Sequence, residues 1–209
     1  EVGLVRKMNQ DSGYASPHLL VVADGMGGHA GGDLASATVI TELVEIDHDS
    51  LTAAEASTQL GRAITRANSE IARTYADNAE LEGMGTTVTA IMRARNKLIL
   101  AHIGDSRAYL LRDGTLSQIT KDDTFVQTLV DEGRITAEEA HSHPQRSLIM
   151  RALTGHEVEP TLIMREARAG DRRADDHQLA GSRHLRNLQV AREHRVARRV
   201  GEHAQAAGD

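Results

Sequence analysis

Apolar residues recur in different rhythms along this chain of 209 residues, and each change of rhythm marks an element. Leu19–Ala23 is a continuous apolar run, which predicts a short strand buried on both faces. Over 33–46 the spacing becomes helical, with Leu34, Ala37, Thr38, Thr41 and Val44 on one side and Ala35, Val39, Ile40 and Leu43 widening the stripe. Thr52 and Glu55 have the spacing of a capping box. Leu60, Ile64, Ala67, Ile71 and Tyr75 then recur at helical intervals, so a long amphipathic helix is expected to end near Tyr75. Residues 86–92 and Lys97–Ile103 are rich in β-branched side chains and predict two strands joined by a polar turn at 93–96. Asp113-Gly114, set between 107–112 and 116–119, is a hairpin signal, because Gly tolerates the positive φ of a primed turn. Short helices are expected at 125–132 and, behind a second capping pair of Thr136 and Glu139, at 137–141, with a further strand at Thr161–Glu166. This order of strand, helices, meander and helices predicts an α+β fold built on antiparallel sheets, not a doubly wound parallel sheet.

The patterning stops at Arg172. Residues 172–209 contain no Phe, Tyr, Trp, Ile or Met, but eight arginines and four histidines among Ala, Gly and polar residues. Such a segment has little to bury and at best forms a weakly amphipathic basic helix through Leu185, Leu188, Arg192, Val196 and Arg199. Residues 1–171 are therefore read as one domain and 172–209 as a divergent Arg/His/Ala-rich tail whose bias matches out-of-frame coding of GC-rich DNA. The net charge of −6 gives no electrostatic reason to expect nucleic acid or an anionic membrane as partner. The absence of cysteine excludes disulfides, thiolate-bound zinc and cysteine nucleophiles. No apolar stretch approaches the ~20 residues that span a bilayer. The chain begins at Glu1, already within a motif, and is read as a fragment.

Two carboxylates stand at strand ends. Asp24-Gly25-Met26-Gly27-Gly28-His29 follows the first apolar run, and its glycines, with Gly31 and Gly32, allow a sharp turn and close approach to a ligand. Gly104-Asp105-Ser106-Arg107 follows the strand ending at Ile103 in the same way. Paired carboxylates so placed suit hard cations such as Mg²⁺ or Mn²⁺, which prefer oxygen ligands. The alternatives are ordinary turns, with Asp24 capping a helix and Asp105 capping its loop. Arg6, ahead of Asn9-Gln10-Asp11, offers a guanidinium shaped to grip phosphate, or belongs to a surface charge cluster. Gly-Asp-Ser also begins a serine esterase signature, but no Asp here has His three positions later to supply the base. His102, His141 and His143 are read as structural residues before zinc ligands. No P-loop sequence is present.

Taken together, Arg6-x-x-Asn9-Gln10-Asp11, Asp24 to His29, Gly83-Met84-Gly85-Thr86-Thr87, Gly104-Asp105-Ser106-Arg107 and His143-Pro144 resemble, in order and spacing over 1–171, the metal-dependent PPM-type (type 2C) protein serine/threonine phosphatases, above all the bacterial form. The resemblance implies an antiparallel β-sandwich flanked by helices, α-β-β-α. It further implies that Asp24 bridges two cations, the Gly25 carbonyl ligates one, Asp11 supports them, Arg6 binds substrate phosphate, and Asp105 with Ser147 helps hold a third ion. Residues 121–147 would be a flap beside the site. The cofactors would be two or three Mn²⁺ or Mg²⁺ ions. The implied activity is hydrolysis of phosphoserine and phosphothreonine in proteins by a metal-activated water. It would oppose serine/threonine kinases in the cytoplasm, the kinases being among its substrates and any membrane tether lying outside these residues.

Three departures stand out. Gln10 replaces a Glu of some members, and Met26 replaces a His proposed as general acid in the eukaryotic form. After Gly170-Asp171-Arg172 the family continues into an apolar strand with Ser-Asp-Gly and later Asp-Asn, which supply further metal carboxylates, and this chain has neither. The fold is accordingly expected to be incomplete, with unpaired sheet edges, partly uncovered inner faces and poor stability. A catalytically inactive phosphatase-like module that binds phosphoproteins or a kinase is the alternative function.

Overall fold

The strands expected at 86–92 and Lys97–Ile103 form the centre of a five-stranded antiparallel sheet. The computed structural model describes residues 9–27 and 31–175, the last four as backbone alone. In chain order these form β1 (Ser12–Ala15), β2 (Leu19–Ala23), β3 (Gly25–Met26), α1 (Gly31–Val44), α2 (Ala53–Asp77), β4 (Gly85–Thr86), β5 (Val88–Ala94) and β6 (Lys97–Ile103). There follow β7 (Ala108–Arg112), β8 (Thr115–Gln118), α3 (Phe125–Asp131), α4 (Ala137–Ser142), β9 (Thr161–Glu166) and β10 (Arg172–Asp175). Strand order in the large sheet is β1-β2-β5-β6-β9, with β10-β7-β8 as a second sheet and β3-β4 as a two-stranded pair. Every pairing is antiparallel, so the α+β fold expected from the element order is present, and the two sheets pack as the sandwich that the resemblance implies.

Side-chain alternation sorts the core into two layers. Val88, Ala90 and Met92 of β5 and Ile99, Ala101 and Ile103 of β6 face α1 and α2, where they meet Val39, Leu43, Leu60, Ile64 and Ile71. Ile91, Leu98 and Leu100 point the other way, onto Ala108, Leu110 and Ile119 of the second sheet and its flank. Burying side chains of this size stabilises the fold by roughly 1.5–3 kcal/mol each. Thr52 caps α2 as its spacing predicts: its hydroxyl accepts from the Glu55 N–H and the Glu55 carboxylate accepts from the Thr52 N–H. Thr136 and Glu139 do the same for α4. The Asp113-Gly114 turn has φ of 50° and 77°, the primed geometry expected of it.

Several expectations are corrected. β2 is not buried on both faces: Leu19, Val21 and Ala23 are buried but Leu20 and Val22 only half-buried, because the second sheet covers β5 and β6 and not this end. The buried side of α1 is Gly31, Gly32, Ala35, Ser36, Val39, Ile40 and Leu43, so the Ala35, Val39, Ile40 and Leu43 part of the expected stripe is buried, while Leu34 and Val44 are exposed. Gly32 brings the start of the helix close to β3, where a Cβ would meet the Gly25 and Met26 backbone, and the larger Val39, Ile40 and Leu43 fill the core further along. The strand expected at 86–92 is interrupted at Thr87, and the turn at 93–96 tightens to Arg95-Asn96 with Arg95 at φ 53°. β1 carries too little apolar patterning to be anticipated.

β9 is an edge strand on which Leu162 and Met164 are exposed. Pairing continues through Arg172–Asp175, which run beside β7, four residues past the change in composition. The rest of the expected tail, 176–209, lies outside the described residues. No helix among the described residues is long and apolar enough to cross a membrane.

The turn between β9 and β10 is held by one ion pair. Arg112 Nε donates to Asp171 Oδ1 and its Nη2 to Oδ2, each at 2.8 Å, while the Arg168 N–H also reaches Oδ2. The guanidinium, then the Arg168 amide, hold the Asp171 carboxyl down at about 2. A depressed carboxyl contributes stability above its unfolded pKa and loses it as pH falls through the folded value. Asp171→Asn is therefore expected to lower the thermal midpoint near neutral pH. Melting curves across the acid range should show the difference closing between the ordinary carboxyl value of 3.8 and about 2.

Candidate functional site

Asp24 owes its position to the residue across from it. The pairings Val22↔Thr89 and Gly25↔Thr86 share one register, so Asp24 falls opposite Thr87. In a regular antiparallel pair the two residues would exchange both backbone hydrogen bonds. The Thr87 N–H does donate to the Asp24 carbonyl, at 2.9 Å. The Asp24 N–H, however, goes to Thr87 Oγ1 at 3.1 Å and not to the carbonyl. The Thr86 hydroxyl adds a bond to the Asp24 carbonyl at 3.0 Å. This exchange separates β2 from β3 and β4 from β5, and it leaves the Asp24 side chain at the break.

The glycines after Asp24 pack without side chains because there is no room for them. A Cβ on Gly25 would lie 2.1 Å from the Gly32 carbonyl oxygen and 2.4 Å from that of Gln10. Gln10 Nε2 donates to the Gly27 carbonyl at 3.1 Å, and the Gln10 carbonyl accepts from the Ser36 hydroxyl at 2.7 Å. Ser12 Oγ is also bonded to Ser36, so the segment carrying Asp11 is tied to the first turns of α1 and to the Asp24 loop. Gln10 here uses a donor that a Glu would lack.

Thr87 also touches the second carboxylate loop. Its Oγ1 is 3.2 Å from Ser106 Oγ, and a Cβ on Gly104 would lie 2.5 Å from its methyl group. Gly104 has φ of 112°, a conformation that side chains rarely adopt, and it turns the chain into Asp105. Burial first, and then the charge of Asp122, push the Asp105 carboxyl above the ordinary carboxylate range. Arg107 grips Asp122 with Nε and Nη2 at 2.6–3.0 Å, and this bonding raises the guanidinium further. Carboxylates crowded into a partly dry site are an arrangement that a cation relieves.

The expected residues divide into three groups. Asp24, Gly25, Asp11 and Asp105 lie on loops that share Thr87, Gln10 and Ser36 as joints. Ser147 is exposed in the turn at 144–147 after α4, and no bond among the described residues ties it to the Asp105 loop. Arg6, Gly28 and His29 lie outside the described residues. Among the described residues no three His, Asp or Glu side chains converge on one point. A hard cation held by one or two carboxylates, with water and substrate oxygens completing its shell, does not need such a cluster, and the all-oxygen donors here fit it.

The rival readings find no support. Ser106 Oγ is buried against Thr87, with no histidine among the described residues bonded to it. His102 is a buried structural residue: Nε2 lies 3.1 Å from the Lys121 carbonyl, which can only accept, so that nitrogen carries the proton. Thr89 Oγ1 is 2.9 Å from its Nδ1, and burial pushes the imidazole down. His143 ends α4 against the Phe125 ring. Thr87, Asp122 and Asp123 were missed from sequence; the only hints were the Gly85-Thr86-Thr87 motif and an acidic pair just ahead of a helix.

A sandwich of antiparallel sheets with helices on one side, carrying an Asp-Gly loop and a Gly-Asp-Ser-Arg loop joined by a threonine, defines a class. The chain belongs to the protein phosphatase 2C family, whose profile matches residues 6–164. It is 66% identical over 170 residues to the serine/threonine protein phosphatase PstP of Mycobacterium tuberculosis, covering 81% of this chain and 33% of that protein. The chain thus spans about a third of the length of that relative. The crystal structure of M. tuberculosis PstP superposes with a TM-score of 0.80 at 65% identity, over 83% of this chain and 73% of that one. A PstP catalytic domain in complex with two manganese ions gives a TM-score of 0.76 at 62% identity, over 83% and 72% of the two chains.

Two outcomes are expected. Thr87→Val keeps the shape but leaves the Asp24 N–H without its acceptor, at a cost of about 1–3 kcal/mol, whereas Thr87→Ser should retain most of the stability; denaturant titration compares them. Asp105→Asn should raise the thermal midpoint of metal-free protein at neutral pH. A carboxyl raised in the fold favours folding at low pH and loses that contribution as pH rises, so the gain should vanish below the ordinary value of 3.8.

Proposed function

We propose that this chain hydrolyses phosphoserine and phosphothreonine in proteins with the help of two or three Mn²⁺ or Mg²⁺ ions. The observation that carries this reading is the joining of the Asp24 and Asp105 loops through Thr87 in a member of the protein phosphatase 2C family. The manganese-bound PstP domain supports the choice of cofactor.

Asp24, the Gly25 carbonyl and Asp105 would hold the ions, with Asp11 beside them and Arg6 gripping the substrate phosphate. When bound, such cations lower the pKa of water and neutralise charge on a transferring phosphoryl group. The chain's own part is positional. The Asp24 backbone is fixed at both its N–H and its carbonyl, so its carboxylate arrives with little freedom to lose on binding. Asp105, raised by burial and by Asp122, gains from a nearby positive charge. Ser147, on the exposed turn after α4, would help Asp105 hold a third ion. The catalytic domain in this reading is 1–171, with 172–209 an added tail, and its place is the cytoplasm, opposing kinases that are among its substrates.

The decisive assay is phosphate release from a phosphothreonine peptide with Mn²⁺, with and without chelator. Release that the chelator abolishes is expected. Asp24→Asn should lower it by more than about 100-fold, since even outer partners of metal ligands are worth 10–100-fold. Peptide binding without chelator-sensitive release would select the inactive module instead.

A further inference from the structure

Asp123 lies outside every motif, yet it holds the residue immediately before Asp105 at both ends. Its N–H donates to the Gly104 carbonyl at 2.8 Å, and its Oδ2 accepts from the Gly104 N–H at 2.9 Å. Its neighbours reinforce this alignment: the Lys121 carbonyl faces His102 and the Asp122 carboxylate is gripped by Arg107. Gly104 is thereby clamped between Asp123 on one side and the Thr87 methyl on the other.

The same residue closes the neck of a helical excursion. Residues 124–149 leave the body of the fold, form α3 and α4, and return to where they began. Thr124 and Ile149 form an isolated bridge, the Phe125 N–H donates to the Leu148 carbonyl, and the Met150 N–H donates to the Asp123 carbonyl at 2.8 Å. Arg151 Nη1 then pairs with Asp123 Oδ1 at 3.0 Å. Arg151 is itself anchored by Thr161 Oγ1 at the start of β9 and by the Glu159 carbonyl. The two oxygens of one carboxylate thus serve different masters, Oδ2 the Asp105 loop and Oδ1 the returning chain. An Asn could satisfy only one of these donors, and a Glu would be a methylene too long to close the ring with Gly104.

We propose that Asp123 is a positioning residue, through which the neck of the α3–α4 excursion and the Arg151 ion pair set the orientation of Asp105. This rests on the reading of Asp105 as a cation ligand. In consequence, displacing the neck changes how the Asp105 loop is presented, although no residue of the excursion need touch a cation.

The test uses the full chain with Arg151→Met, which removes the ion pair and leaves Asp123 in place, and Arg151→Lys, which can still reach Asp123. Amide hydrogen exchange on metal-free protein is read at Gly104, Phe125 and Met150, with Ile64 in α2 as the internal standard. Arg151→Met is expected to speed Gly104, Phe125 and Met150 together by about tenfold or more while Ile64 keeps its rate, with Arg151→Lys restoring most of the protection. Accelerated Phe125 and Met150 with an unchanged Gly104 would overturn the proposal. If Arg151→Met proves too unstable, Arg151→Lys with a smaller concerted change supports it, and no concerted change overturns it. Mn²⁺ titration by calorimetry adds the functional arm: affinity should fall several-fold in Arg151→Met and recover in Arg151→Lys, and an unchanged affinity counts against the proposal. Parent protein that binds no Mn²⁺ would sink the cation reading alone, since the exchange comparison needs neither metal nor activity.

Discussion

The site hangs on a single substitution in a hydrogen-bond ladder: at the Asp24–Thr87 pair a side-chain hydroxyl takes the place of a backbone carbonyl. A regular ladder would carry β2 and β5 straight on and leave Asp24 as one more strand residue. With the Asp24 N–H captured by Thr87 Oγ1, the two strands bend together and start the small β3–β4 pair in the same register. The same hydroxyl meets Ser106, and the same side chain's methyl excludes a Cβ from Gly104. Two loops about eighty residues apart in sequence therefore take their positions from one buried threonine. Its burial matters, because each bond it makes is protected from water and costly to leave unmade.

Charge is arranged around that joint with a consistent sign. Asp122 is answered by Arg107 and Asp123 by Arg151, so two members of the acidic group are committed to holding the frame. Asp105 sits among them with its carboxyl pushed up by burial and by Asp122. Two arginines thus support the neighbouring carboxylates, while Asp105, the ligand candidate, lies where burial disfavours its charged form. Those arginines also set geometry. Arg107 and Arg151 hold consecutive residues of one short stretch, and that stretch aligns Gly104.

Much of this was legible in the amino-acid pattern, for identifiable reasons. The β5–β6 pair, the Asp113-Gly114 hairpin and both capping boxes rest on local rules that tertiary contacts do not override. The strand ends carrying Asp24 and Asp105 were visible because a carboxylate follows an apolar run directly. The face of α1 was half legible, since Ala35, Val39, Ile40 and Leu43 are buried as expected, whereas Leu34 and Val44 look like core residues but are exposed and Gly32 and Ser36 take their place at the contact. Burial of β2 was overestimated because an apolar run does not reveal how far the second sheet extends. The role of Thr87, though it stands in the Gly83–Thr87 motif, and that of Asp123 could not be seen because they are long-range: each acts on a residue far along the chain, and neither belongs to a periodic pattern.

The central claim is that the joint at Thr87 brings the Asp24 and Asp105 loops to one cation-binding place. The most direct measurement is anomalous diffraction at the manganese edge from crystals of the chain soaked in Mn²⁺. The account predicts an ion bonded to the Asp24 carboxylate, with Thr87 Oγ1 still accepting from the Asp24 N–H. Manganese bound elsewhere on the surface, with none at Asp24, would contradict it.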